Sequence, residues 1–264
     1  MLATGSRITG MSWVSRLARR YYGVIQIVVV VAGVETYELA RHFIRPDWPA
    51  AMTNAQRVVD WENVAHLAWE RSLQGWFLEL PELVRAMNVF YFVGHFVLTA
   101  IFFFWLYHHS RDAFRSFRNG FLTATALALL IHWKFPTAPP RLAGVGLVDT
   151  LRQLSNIDIG SPSSSAFSNP VAAVPSLHAG WALGVGIGLY RYASANIWRM
   201  VGVLYPVAVF LTIVVTGNHF VFDALAGVAV MGAGFLLAHL LFGRERGERD
   251  GGILAPATRG GAVR

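Results

Sequence analysis

Long apolar runs, separated by short polar or proline-containing stretches, form the hydrophobic pattern of this chain. A run of about twenty apolar residues has the length of an α-helix that crosses a lipid bilayer. Six runs approach this length, over residues 21–39, 88–107, 120–135, 178–191, 197–216 and 219–242. The pattern therefore predicts an all-α, polytopic membrane protein with six transmembrane helices, which together form one membrane domain over residues 21–242.

The segment between the first two spans has a different pattern, in which tryptophans and leucines alternate with charged residues. Its regularly spaced apolar residues are Trp61, Leu67, Trp69, Leu73, Trp76 and Leu80. This spacing predicts amphipathic helices that lie in the membrane interface. Residues 1–15 are polar and contain glycine and serine, which predicts a cytoplasmic tail over residues 1–20. The glycine- and arginine-rich residues 243–264 predict a disordered cytoplasmic tail.

The composition agrees with a membrane protein, because 55% of the 264 residues are hydrophobic and only 14% are charged. Soluble domains carry about 25% charged residues. The formal net charge of +7 would suit a nucleic-acid partner, but the basic residues lie at the ends of apolar runs. We therefore expect a bilayer and no nucleic acid as partner. Cysteine is absent, which excludes disulfides, thiolate nucleophiles and cysteine-based metal sites.

The basic residues are distributed unequally between the two sides of the predicted membrane domain. Six spans put both termini on one side, which carries 14 of the 22 lysines and arginines but 4 of the 15 acidic residues. The positive-inside rule then places both termini in the cytoplasm. We expect a multi-pass protein of the plasma membrane whose Lys134, His178, His219 and Asp223 face the extracytoplasmic side.

His219 and Asp223 stand four residues apart at the start of the last apolar run. On a helix this spacing puts both side chains on one face. The carboxylate can then hold one ring nitrogen, so that the other nitrogen is free to attack or to accept a proton. Ionisable residues in such a segment are costly to bury, which favours a functional role. The alternative is a pair that only caps the helix.

Two further motifs stand at the ends of neighbouring runs. Lys134 and Arg141 flank a proline-containing turn, which holds two cations at a fixed separation that suits a phosphate group. Ser176 and His178 stand at the predicted start of the fourth span, where free backbone N–H groups favour an anion. The alternatives are a lysine that anchors its span in the interface and a capped helix with an interfacial histidine.

Together these motifs supply two cations, a helix N-terminus, two histidines and a carboxylate. Such a set suits phosphoryl transfer through a covalent histidine intermediate, in which one histidine attacks phosphorus and the other protonates the leaving oxygen. We expect no cofactor and no metal, because the sequence has no tight ligand spacing of the His-Glu-x-x-His type. A third set, Asn88, Tyr91 and His95, shares one predicted helix face and either lines the substrate pocket or forms an interhelical hydrogen-bond set.

The motifs follow one another in the order Lys134 with Arg141, Ser176 with His178, and His219 with Asp223. This order, within about residues 85–240, resembles the type 2 phosphatidic acid phosphatase superfamily. Within it, residues 169–178 and the Thr-Gly-Asn sequence before His219 are similar to the branch that contains inositol phosphorylceramide synthase. The resemblance implies that His219 is the nucleophile, Asp223 its orienting partner and His178 the general acid. It implies a phosphate-binding role for Lys134, Arg141 and Ser176.

The chain departs from the common superfamily pattern in two places. Leu142 follows Arg141 where the pattern has proline, and Thr212 and Ile213 stand where the pattern has Ser-Arg. A phosphate-binding arginine is therefore absent from its usual position, and either Arg152 or Arg85 takes its place or the site has fewer cations. The gap favours the synthase-like branch over a plain monophosphatase.

The leading hypothesis is therefore a membrane lipid phosphatase or phosphotransferase, which acts on a lipid phosphate at the extracytoplasmic face through a phosphohistidine. One alternative is a phosphotransferase of the inositol-phosphate lipid synthase type. Alternatives from other classes are a non-enzymatic membrane transporter and a vanadate haloperoxidase. The polar residues gather at one membrane face and form no path across the bilayer, which argues against transport.

The topology can be tested with cysteines introduced singly at Ser164, between the third and fourth predicted spans, and at Gly251, in the C-terminal tail. The chain contains no other cysteine. We expect an impermeant thiol reagent to label the Ser164→Cys protein in intact cells and to leave the Gly251→Cys protein unlabelled until the cells are opened. The opposite labelling pattern would mean that the orientation is inverted.

Overall fold

The computed structural model describes residues 20–43, 47–159 and 170–243. Regular structure in these ranges is helical, apart from one isolated parallel bridge between Thr137 and Ala172. The predicted all-α class is therefore confirmed. The predicted tails fall outside the described residues except at their inner ends, and so does the serine-rich part of the loop before the fourth predicted span.

The chain divides into two compact units, residues 1–43 and 44–264. The first contains a single described helix, α1 (Tyr22–Phe43), at the position of the first predicted span. Its apolar part covers Tyr22–Gly33, which is shorter than a bilayer span. Val24, Ile27 and Val28 on this part are more than half exposed.

The second unit begins with three short helices, α2 (Trp48–Val64), α3 (Glu70–Leu78) and α4 (Pro81–Val89). Asp47 caps α2 by accepting a hydrogen bond from the Ala50 N–H, and proline stands in the first turn of α2 and of α4. The helices of this segment have an apolar and a polar side, but the polar side faces the interior of the protein. The aromatic residues Trp61, Trp69 and Trp76 point outward, and polar side chains point inward: Asn54, Glu62, Glu70 and Gln74 are buried.

A π-helical turn (Phe90–Gly94) joins α4 to α5 (His95–His109), and the three form one helix over Pro81–His109. The helix therefore starts earlier than the predicted span at residue 88. α6 (Arg111–Lys134) follows, capped by Ser110. The third predicted run begins at residue 120, but the basic stretch that includes Arg111, Arg115 and Arg118 already belongs to α6, because the Ser110 cap starts the helix there.

The remaining helices are α7 (Thr150–Ser155), α8 (Leu177–Tyr192), α9 (Asn196–Val215) and α10 (Val221–Phe242). Among the described residues, three helices are long and apolar enough to cross a membrane: Pro81–His109, Asn196–Val215 and Val221–Phe242. α8 has 16 residues. At about 1.5 Å per residue it is shorter than a hydrocarbon core of about 30 Å. The chain is thus an integral membrane protein, and a count of six spans stays a proposal.

Small residues bring the long helices into close contact. α8 packs against both α9 and α10. Gly186 of α8 faces Gly202 of α9, and Gly180 of α8 faces Gly227 of α10, so closely that an added Cβ would collide with the opposite backbone. Close approach through small residues is how helices gain dispersion contacts inside a membrane. Gly227 lies against the backbone of Ser176 and thereby fixes the start of α8 beside α10.

Gly227 and Gly232 lie on the same helix and offer a matched test of this packing. A Cβ at position 227 would overlap the Ser176 backbone, whereas no atom lies near position 232. We expect Gly227→Ala to lower the thermal midpoint in detergent, by the equivalent of about 1–3 kcal/mol of overpacking, and Gly232→Ala to leave it unchanged or raised. Equal midpoints for the two variants would contradict the close contact.

Candidate active site

The loop between α9 and α10 carries His219. Gly217 has a φ of +68°, which allows the chain to turn sharply after α9. The Ile213 carbonyl accepts hydrogen bonds from the N–H groups of Asn218 and His219 and closes the turn. His219 therefore lies before the helix. The expectation that His219 and Asp223 share one helix face is wrong, because α10 begins only at Val221.

His219 and Asp223 nevertheless meet. Asp223 stands in the first turn of α10, and its Oδ2 lies 3.4 Å from His219 Nδ1. The same ring nitrogen lies 3.0 Å from the Ala173 carbonyl oxygen. Because both neighbouring atoms are acceptors, Nδ1 carries the proton of the neutral ring. The lone pair is then on Nε2, which leaves that atom able to attack an electrophile.

The electrostatic surroundings keep His219 uncharged. Burial lowers its pKa to about 4, and the positive charge of Arg141 acts in the same direction, against the opposing effect of the Ala173 hydrogen bond. At neutral pH the imidazole is therefore neutral. A neutral ring is the form that can act as a nucleophile or base.

The N-terminus of α10 is held by three buried carboxyl groups from three different helices. Asp223 accepts from the Phe220 N–H at 2.9 Å, Glu70 of α3 from the Val221 N–H at 2.8 Å, and Glu62 of α2 from the Phe222 N–H at 2.7 Å. A helix N-terminus has unsatisfied N–H groups and partial positive charge, and acidic side chains there satisfy both. The cap therefore fixes the residues that directly follow His219.

The Glu62 carboxyl group is protonated at neutral pH. Burial raises its pKa to about 9, and the neighbouring carboxyl groups of Glu70 and Asp223 raise it further against the hydrogen bond from Phe222. Glu62 also forms a side-chain hydrogen bond with Glu70. One oxygen of Glu62 can thus accept from Phe222 while the other donates to Glu70. The proton prevents two negative charges from facing each other in a buried place.

Ser176 and His178 begin α8 as expected. Ser176 is the N-cap residue, and its Oγ accepts from the Ala179 N–H. The Ser176 N–H donates to the Asp223 carbonyl oxygen at 2.9 Å, which ties the starts of α8 and α10 together. His178 then lies 5.8 Å from His219 between ring centroids, with the rings tilted by 53°. The two imidazoles are close enough to act on one group bound between them.

Arg141 is buried beside the same loop. Its Nε donates to Asn218 Oδ1, its Nη1 to Asp149 and its Nη2 to the Ile159 carbonyl, each at 2.8–2.9 Å. A guanidinium has five N–H groups, and the described residues engage three of them, so two can serve a bound anion. Its backbone N–H donates to the Gly217 carbonyl, which joins the cation to the His219 loop.

The other predicted cations are exposed, unlike Arg141. Lys134 ends α6 in an exposed position, with its ammonium 3.8 Å from the centroid of the Trp133 ring. Arg85 is exposed, forms an ion pair with Glu82 and donates to the Leu154 carbonyl, and Arg152 is exposed. Phosphate binding by these three stays a prediction. Ile213, at the place of the absent arginine, is fully buried.

Asn88, Tyr91 and His95 separate into two roles. Asn88 is a structural link between α4 and α7, because its amide group exchanges hydrogen bonds with Thr150 and donates to Ser155. Tyr91 stacks on His178 at 4.4 Å, and the ring centroid of His95 lies 4.9 Å from that of His178. Tyr91 belongs to the π-helical turn, a deviation that is frequent at functional sites.

The sequence alone gave no signal for several residues of the site. Glu62 and Glu70 stand about 150 residues before the helix whose start they cap. His132 was also missed, although a histidine in an apolar run is itself a signal. Its Nε2 lies 3.1 Å from the Pro175 carbonyl oxygen, next to Ser176. In the described ranges, no three histidine or acidic side chains are placed to hold a metal ion.

The fold and this site define the class: a helical integral membrane protein with a neutral histidine, a second histidine and an arginine gathered at the starts of two helices. Residues 56–237 match the sequence model of the PAP2 superfamily. The chain therefore belongs to the PAP2 superfamily, a group of phosphatases and phosphotransferases whose substrates bear phosphate. No curated protein and no solved structure matches the chain.

The proton on Glu62 gives the stability a pH dependence. A pKa of about 9 in the folded state against an ordinary 4.5 means that stability is lost as the pH rises through this window. Glu62→Gln keeps an acceptor for Phe222 and a donor for Glu70 without a titrating group. We expect its thermal midpoint in detergent to fall less than that of the wild type between about pH 5 and about pH 9.

Glu79→Gln is the control for this experiment, because Glu79 is an exposed carboxylate at the end of α3. Its midpoint should follow the wild-type curve. Parallel curves for Glu62→Gln and the wild type would mean that Glu62 does not hold the proton.

Proposed function

We propose that the protein transfers a phosphoryl group from a lipid phosphate through a covalent phosphohistidine on His219. Supporting observations are the neutral ring of His219, the acceptors at its Nδ1, and His178, whose ring centroid lies 5.8 Å away. The observation that carries the proposal is the pair of acceptors at Nδ1, because it leaves the lone pair of Nε2 available for attack.

In the first step, His219 Nε2 forms a bond to phosphorus while the bond from phosphorus to the ester oxygen breaks. His178, which takes up a proton when the phosphate anion binds beside it, gives that proton to the ester oxygen, which leaves as the alcohol. Asp223 and the Ala173 carbonyl stabilise the charge that develops on the His219 ring. Arg141 and Ser176 bind the phosphate oxygens, and Lys134, whose side chain is long and exposed, can turn to do so.

In the second step, water or an acceptor alcohol attacks the phosphohistidine. The new bond from oxygen to phosphorus forms as the bond from Nε2 to phosphorus breaks, and His178 takes the proton of the attacking hydroxyl. Transfer to an alcohol is favoured over plain hydrolysis by Ile213, which replaces a phosphate-binding arginine with an apolar side chain. We place the protein accordingly in the branch that resembles inositol phosphorylceramide synthase.

The proposal includes six spans, cytoplasmic termini and an extracytoplasmic site in the plasma membrane. The arginine distribution supports this orientation. The motifs also lie together at one end of the bundle, since the starts of α8 and α10 are tied by the hydrogen bond between Ser176 and Asp223. A lipid phosphate could therefore reach the site from the outer leaflet.

The two histidines should differ in their dependence on the leaving group. An activated aryl phosphate needs little protonation of its leaving oxygen, whereas a lipid alkoxide does. We expect His178→Ala to lose about 10²- to 10⁴-fold in kcat/KM on a lipid phosphate and less than about tenfold on the aryl phosphate. His219→Ala should be inactive on both, because no phosphohistidine can form.

His109→Ala is the matched control, because His109 is exposed at the other end of α5, and it should retain full activity. Brief incubation with phosphate-labelled substrate should trap an acid-labile phosphoprotein in the wild type or in His178→Ala. The same label on His219→Ala would assign the nucleophile to another residue.

A further inference from the structure

A cluster of rings continues from His178 into the helix bundle. His178 and Trp181 stand three residues apart on α8 and share one face. The ring centroid of His95 lies 4.9 Å from that of His178 and 6.4 Å from that of Trp181. The ring centroid of Phe96 lies 5.2 Å and 6.2 Å from the same two centroids. These four side chains, His95, Phe96, His178 and Trp181, are called the ring cluster below.

Three polar atoms of the ring cluster are buried without a partner among the described residues: His95 Nε2, His178 Nε2 and Trp181 Nε1. His95 itself is only 1% exposed. An unpaired buried donor or acceptor costs about 1–3 kcal/mol. Three such atoms in one cluster are costly for a purely structural core, and native proteins rarely keep buried polar groups unpaired. The cost is offset if a ligand occupies the cluster.

The chemistry of the unpaired atoms defines what that ligand must offer. An indole N–H can only donate, so the partner of Trp181 must have a lone pair. His95 Nδ1 lies 2.8 Å from the Tyr205 hydroxyl, and the direction of that bond decides whether Nε2 donates or accepts. A hydroxyl group both donates and accepts, so it pairs with Trp181 and with either form of His95.

The position of the cluster indicates which part of the substrate carries this hydroxyl. The ring centroid of His178 lies 5.8 Å from that of His219 and 4.9 Å from that of His95, and among the described residues His95 and His219 make no ring contact with each other. In the proposed mechanism phosphorus is bound at His219, and His178 protonates the oxygen of the leaving alcohol. A group beyond His178 therefore belongs to that alcohol and lies a few bonds from the ester oxygen.

We infer that His95 and Trp181 form a subsite for a free hydroxyl on the alcohol of the phosphate ester, close to the ester oxygen. The subsite selects hydroxylated lipid phosphates over phosphates of plain alkyl or polyprenyl alcohols. This inference rests on the proposed function, because it uses His178 as the acid that faces the leaving alcohol.

Two alkyl phosphates of equal chain length, with and without a hydroxyl on the carbon next to the ester carbon, provide the test in detergent micelles. We expect the wild type to have a kcat/KM at least about threefold higher for the hydroxylated phosphate. Trp181→Phe keeps an aromatic ring and removes the N–H. It should lower kcat/KM about three- to tenfold for the hydroxylated phosphate only, so that the preference disappears.

Trp198→Phe is the matched control, because Trp198 is 57% exposed on α9, and its preference should equal that of the wild type. Equal wild-type rates on the two phosphates would overturn the subsite while the proposed function stands, and this readout needs no variant. A preference that persists in Trp181→Phe would also overturn it. Failure of the wild type to turn over either phosphate would contradict the proposed function itself.

Discussion

The burial of the α10 N-terminus is the constraint on which the rest of the site depends. A buried helix start exposes N–H groups that water cannot reach, and here Asp223, Glu70 and Glu62 satisfy three in succession. The requirement draws α2 and α3 inward and explains why their polar side chains are buried and their tryptophans are not. It also gathers three carboxyl groups in a buried place, where a retained proton on Glu62 reduces the repulsion between them.

The sequence predicted the helices well, because a bilayer span and an apolar run have the same length. It predicted their ends less well. The start of α6 depends on a single cap by Ser110, and the π-helical turn at Phe90–Gly94 has no apolar signature. His219 was assigned to a helix because a spacing of four residues in the sequence does not distinguish a helix from a loop that precedes one.

Local motifs identified the side chains that the structure brings together around His219, whereas contacts between distant segments stayed hidden. Ser176, His178, His219 and Asp223 come together because they stand at the starts of two helices that share the contact at Gly227. The carboxyl groups of Glu62 and Glu70, and the indole of Trp181, carry no pattern along the chain. Their roles arise from tertiary packing, which periodicity and spacing do not encode.

The inward carboxyl groups of α2 and α3 have a mechanical consequence. Both helices present tryptophans on one side and hold the start of α10 on the other, so they connect the surface of the protein to the segment that follows His219. A sideways shift of either helix would pull an amide at the start of α10 and turn the imidazole beside it. The tryptophan-bearing surface of α2 and α3 is thereby coupled to the orientation of the His219 ring.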